Sequence, residues 1–204
     1  MLSKQFVSDY KKLLSLFKKS DPKCIRFGSQ GHKYKLHNPI RETDLIRLSK
    51  NLKGYGLPRD YYDYLTKIAN GGFSSSYGLF PIEKIITKVL HIKNETSGNK
   101  QDDFLIIEHA GCSNYILLKL TGDRAGTIAE CYDFCSPDDM QVDETNLSFK
   151  LYLLDPFFKD KKFIKRLSSI DSKLYSRLME YFDEYEKCRP RTDYEILSDL
   201  DLIK

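Results

Sequence analysis

The sequence predicts an α+β fold, on three observations. Stretches of helical period occupy both ends of the chain, a stretch of strand period fills the middle, and the strand connections are short. From Asp103 onward FLIIEHAG, YILLKLTG and GTIAECYDF follow one another, separated by Gly111 and by Gly122 to Gly126. Runs rich in β-branched and aromatic residues bounded by glycine read as strands. Gaps of about four residues cannot carry a parallel crossover, which needs a dozen or more, so these three strands form an antiparallel meander.

Each element follows from its own pattern. Between Ser3 and Ser20 the apolar residues Phe6, Tyr10, Leu13, Leu14 and Phe17 recur at three- and four-residue steps with lysines opposite, and Asp21-Pro22 stops the pattern; this is an amphipathic helix. Cys24 to Phe27 and Tyr34 to Leu36 alternate around a turn at Gly28 to Gly31 and predict a short hairpin. Asn38-Pro39 or Thr43 can start a helix whose inward face is Leu45, Leu48 and Leu52, ended by Gly54 and Gly56. Pro58 suits a first helical position, where its missing N–H would be unpaired anyway. Tyr61, Leu65 and Ile68 carry that helix's stripe until Asn70-Gly71-Gly72 ends it. After a small-residue loop over 73–80, Pro81 starts a helical stretch through Ile82, Ile85, Ile86, Val89 and Leu90 that fades into NETSGNKQDD. Beyond the third strand, 136–146 reads as an acidic loop and SFKLYLLDPFF returns to apolar spacing. After Pro156, helices run through Phe163, Leu167, Leu174, Leu178, Tyr181, Phe182 and Tyr185 to Arg189-Pro190-Arg191.

With 204 residues, 41% hydrophobic and 30% charged, the chain has enough apolar material to build a core without metals or disulfides. No apolar run approaches the ~18 residues of a membrane span. Lys4, Asp9, Lys11 and Lys12 interrupt the stretch a signal peptide would need, so a cytoplasmic protein is expected. Five cysteines, an odd number without framework spacing, fit free thiols in a reducing compartment.

Charge is divided along the chain. Residues 1–100 carry 19 basic and 8 acidic side chains, residues 101–204 carry 14 and 21. The basic excess alternates with apolar residues at helical spacing, as on a solvated helix face, which argues against direct nucleic-acid binding. No GxSxG, HExxH, Walker A or GxGxxG string occurs, and His32, His37, His91 and His109 stand apart from any nucleophile motif. Neither an enzyme nor a cofactor is therefore expected. His109 with Cys112, Cys131 and Cys135 is the one set resembling metal ligands, but Cys-x3-Cys along a strand is no zinc-knuckle spacing. The cysteines are expected to be buried small hydrophobes, with no metal.

Two segments together resemble a known family. Leu57-Pro58-x-x-Tyr61-x-x-x-Leu65-x-x-x-x-Asn70-Gly71-Gly72, followed by Gly78-Leu79-Phe80-Pro81, looks like the front half of the SUKH superfamily, the fold of yeast cell-wall synthesis regulators and many bacterial immunity proteins. IIEHAGCSNYILLKLTGDRAGTIAECYDF resembles its strand, Gly-Cys-Gly-Asp-like turn and following strands, and SFKLYLL resembles its closing helix. Ser113 and Asn114 stand where the family usually has Gly and Asp. The resemblance implies an α+β domain with a mainly antiparallel sheet covered by helices, no catalytic residues, and a protein-binding role. The expected layout is a single domain over 1–204, with a SUKH-like core at 36–157, an N-terminal helix and hairpin at 1–35, and a C-terminal helical extension at 158–204.

Over 102–144, ten carboxylates face only Lys119 and Arg124. Clustered carboxylates would attract the basic surface of a nuclease-type toxin and speed association, and aromatic neighbours would anchor the contact. Glu130, Tyr132, Asp133, Phe134, Asp138, Asp139, Asp143 and Glu144 are accordingly the expected partner-binding residues of an immunity protein. A rival expectation, an intracellular regulatory scaffold, places the partner surface on the apolar stripe of the helices at 159–187.

Overall fold

Helix α1 (Lys4–Ser20) begins where the Ser3 side chain accepts a hydrogen bond from the Phe6 N–H at 3.0 Å, satisfying a donor that the first helical turn leaves unpaired. Its stripe of Phe6, Tyr10, Leu13, Leu14 and Phe17 is buried as predicted. The computed structural model describes residues 1–52, 54–94, 100–132 and 141–189. After α1 come short helices α2 (Ser29–His32), α3 (Glu42–Ser49) and α4 (Arg59–Asp63), the last continued by a single π-helical turn at Tyr64–Ile68. Leu45, Leu52, Tyr61, Leu65 and Ile68 are buried and Leu48 is half-buried, on the inward face the sequence assigns to these segments. The Gly71-Gly72 pair then lets two backbones touch. A Cβ on Gly72 would lie 2.4 Å from the Lys35 carbonyl oxygen, and the residue bridges both Leu36 and Leu79.

Two expectations fail before the sheet begins. The hairpin at 24–36 does not form: the segment turns into α2, and Leu36 bridges to Gly72 instead. The Asp21 carboxylate takes the N–H groups of Ile25 (3.0 Å) and Arg26 (3.1 Å), donors a strand ladder would need. The helix read through Ile82 to Leu90 stops at α5 (Ile82–Ile85), and β1 (Val89–Asn94) follows. Ile85, Ile86, Val89 and Leu90 satisfy either period locally; pairing of Val89 with Leu105 and Leu90 with Phe104 decides for the strand.

Strands β2 (Lys100–Gly111), β3 (Asn114–Lys119) and β4 (Thr127–Tyr132) are the predicted meander. With β1 and β5 (Gln141–Ser148) they make one antiparallel sheet in the order β1-β2-β3-β4-β5. Residues 141–146, read as the end of an acidic loop, are thus an edge strand; its polar sequence hides a ladder partner for β4. Ser148 caps α6 (Phe149–Tyr152), and α7 (Asp155–Lys159), α8 (Lys161–Ile170), α9 (Ser172–Met179) and α10 (Phe182–Cys188) complete the chain.

One face of the sheet, through Leu105, Ile107, Ile116, Leu118 and Ile128, joins a single large cluster that also holds the stripe of α1 and Phe157, Phe163, Leu167, Leu174, Leu178 and Tyr185 of the C-terminal helices. The stripe the scaffold expectation needs on the surface is therefore largely inside. The opposite face carries a second cluster of Phe104, Ile106, Leu117, Ala129 and Cys131. Among the described residues no helix is long and apolar enough to cross a membrane.

Candidate functional site

The described part of the acidic segment lies on β4 and β5, and strand alternation divides it between the two faces. Glu130 stands directly opposite Asp143 on the helix-covered face, whereas Glu144 opposes Ala129 and points to the other side. Their surroundings differ accordingly. Glu144 accepts two hydrogen bonds from Lys119 Nζ at 2.8 and 2.9 Å and pairs with Arg124 at 2.5 Å; Lys119 also meets Asp102 at 3.1 Å. Lys119 is buried, so this network is an internal tie whose charges are already matched.

Glu130 and Asp143 form no ion pair among the described residues. Glu130 accepts a hydrogen bond from the Tyr132 hydroxyl on its own strand. Burial first, then that bond and the charges of Glu130 and Asp143, push the Tyr132 hydroxyl well above its ordinary range. Like charges directly across a ladder destabilise it. Lys187 and Arg189, at the end of α10, line the same hollow of about 240 Å³. Asp133, Phe134, Asp138 and Asp139 lie outside the described residues. Of the eight expected partner-binding residues, Glu130, Tyr132, Asp143 and Glu144 all border the hollow, but the Glu144 carboxylate is already tied to Lys119 and Arg124.

From this edge a groove continues between the sheet and the C-terminal helices. A cavity of about 560 Å³ shares Glu130, Thr145 and Arg189 with the hollow and extends past Tyr152 and Asp155 to Ser75 and Ser76. Beneath Ser75 and Ser76 sits a residue that sequence reading missed. Glu108 is fully buried; its carboxylate accepts hydrogen bonds from the hydroxyls of Ser74 and Tyr152 and from the N–H groups of Ser76 and Gly78, each at 3.1 Å. Burial raises its pKa above the ordinary glutamate value despite those donors. The carboxylate fastens the loop between Phe73 and Gly78 onto β2 and α6. Strand period alone sends a residue at this position outward. A register shift between Ile106 and Glu108 turns it inward, and nothing in FLIIEHAG announces that bulge.

The residues weighed as metal ligands do not converge. Cys112 is exposed in the β2–β3 turn and Cys131 is buried in the second cluster; Cys135 lies outside the described residues. The expectation of burial therefore fails for Cys112. The His109 ring sits between Tyr77 (5.8 Å) and Tyr115 (5.0 Å).

Residues 39–155 match the sequence profile of the SMI1 / KNR4 family (SUKH-1). No curated protein and no solved structure matches the chain significantly.

Proposed function

Because the chain belongs to the SMI1 / KNR4 family (SUKH-1), we propose that it works as a non-catalytic protein-binding domain in the cytoplasm, and that it is an immunity protein which binds a cognate toxin domain and blocks it by occlusion. The observation that carries the reading is the Glu130–Asp143 pair: two carboxylates held opposite each other across β4 and the edge strand β5, in no ion pair among the described residues, beside the half-buried ring of Tyr132. Such a patch attracts a basic surface, and tyrosine is a favoured anchor at interface centres. Asp133, Phe134, Asp138 and Asp139, which follow in the chain, and Glu144 belong to the proposed surface by sequence. An edge acid also discourages unwanted strand pairing, and the two roles are compatible. The scaffold reading draws no support from the C-terminal helices, since Leu174, Leu178 and Tyr185 are buried.

The test begins with the neighbouring gene. If it encodes a toxin, stopped-flow mixing of toxin and chain should give an association rate that falls steeply with salt. Glu130→Gln with Asp143→Asn should slow association about three- to tenfold without lowering the unfolding temperature, since it relieves a like-charge pair. A rate insensitive to salt and to both substitutions contradicts the acidic edge; a neighbourhood without a toxin contradicts the immunity role.

A further inference from the structure

The groove that leaves the acidic edge ends in a mouth of the opposite character. A cavity of about 730 Å³ opens between the α1–α2 connection, the loop at 73–76 and the α7–α8 junction, and it shares Ser75, Ser76, Lys159 and Lys161 with the cavity next to it. Its floor is aromatic, with Phe17, Tyr34 and Phe73; its rim carries Arg26, Lys159, Lys161 and Lys162. A volume of this order accommodates a few side chains of a bound segment.

Three observations separate this mouth from ordinary surface. Large exposed apolar rings meet at its edge: Phe27 is 67% exposed and Tyr77 48%, in edge contact at 5.4 Å. Singly scattered apolar side chains need no explanation, but a clustered patch does. The patch is also held rigidly. Asp21 takes the N–H groups of Ile25 and Arg26 and the Tyr34 hydroxyl (2.5 Å), and Arg26 reaches Asp160 at 2.8 Å while lying 4.0 Å over the Phe17 ring. The two lips meet at Gly28, where a Cβ would stand 1.8 Å from the Ser76 carbonyl oxygen. Finally, Lys161 and Lys162 are exposed, make no ion pair among the described residues, and occupy the first turn of α8, where the helix dipole disfavours cations.

We propose that this mouth receives an acidic segment of a partner protein, with an aromatic or aliphatic side chain seated against Phe27 and Tyr77 and carboxylates meeting Lys161 and Lys162. The proposal rests on the reading that the chain acts by binding a protein. Charge favours a short acidic peptide over a nucleic acid, because a phosphate track continuing along the groove would run into Asp155, Glu186 and Glu130.

The probe is a fluorescein-labelled peptide of alternating Asp and Glu around a central Phe, read by anisotropy on the full chain, beside its Asn/Gln counterpart and an oligothymidylate of equal charge. The acidic peptide should bind at least about tenfold tighter than the amide version at low salt. Lys161→Glu with Lys162→Glu, and separately Phe27→Ser, should each weaken it at least about fivefold without changing the unfolding temperature, whereas Glu130→Gln with Asp143→Asn should leave it unchanged. Equal binding of the amide version, indifference to the mouth variants, or equally tight binding of the oligothymidylate overturns the proposal. A toxin that is still neutralised while the acidic peptide is ignored would remove this mouth alone. A peptide that binds while the neighbouring toxin goes unbound would remove the immunity reading and keep the mouth.

Discussion

At the scale of single residues, Glu108 shows how one buried carboxylate organises the centre of the groove. Its donors come from the 73–78 loop and from Tyr152, so removing the acceptor would strand two hydroxyls and two N–H groups. Glu108→Leu should cost about 3 kcal/mol or more. Glu108→Gln keeps one acceptor oxygen and can donate to the Tyr152 hydroxyl, so it should cost far less. The pH dependence has a definite sign. The folded-state pKa is raised, so the stabilisation from this group is fully present below the unfolded glutamate value and lost as pH rises through the folded one. Denaturation midpoints should therefore favour wild type over Glu108→Gln increasingly as pH falls through that window. A gap that widens on raising the pH would mean the carboxylate prefers its charged form in the folded chain.

At the scale of elements, legibility followed the presence of local instructions. Helices α1, α8 and α9 each open on a cap, Ser3, Asp160 and Asp171, whose side chain binds an N–H three residues on, and each carries a clear apolar stripe. Strand β1 has no such instruction, because its apolar residues fit both periods and only β2 resolves the choice. Strand β5 was hidden by its acids, and with it the parity that sends Glu144 and Asp143 to opposite faces. The candidate site was legible as a cluster in sequence but not as a surface. The β2–β3 turn carries a further consequence. Cys112 (φ 45°) and Ser113 (φ 67°) both adopt left-handed backbone, as a two-residue hairpin loop demands, without the glycine that relieves it. Cys112→Asn, a residue that tolerates this conformation, should raise stability by about 0.5 kcal/mol and the unfolding temperature by about 2 °C. A fall in calorimetric unfolding temperature would mean that the Cys112 side chain holds the turn.

At the scale of the molecule, the parts outside the family segment close on one another. Asp9 of α1 binds Arg177 of α9 through two hydrogen bonds at 2.7 and 2.8 Å, Phe17 meets Phe163 of α8 at 4.8 Å, and Arg26 holds Asp160. These contacts build the basic mouth, while β4, β5 and α10 build the acidic edge. Three of the mouth's four cations, Lys159, Lys161 and Lys162, come from the half of the chain that is acidic overall, so folding and not the order of charges along the sequence separates the two ends of the groove. The groove is proposed to act by contact alone. Titrating the purified chain against a fixed amount of toxin from the adjacent gene, with the toxin's own activity as readout, tests that most directly. Toxin activity should fall linearly to an end point at equimolar chain and return when the complex is dissociated. Complete and lasting loss of toxin activity at a small fraction of one equivalent would contradict it, because only turnover could produce that result.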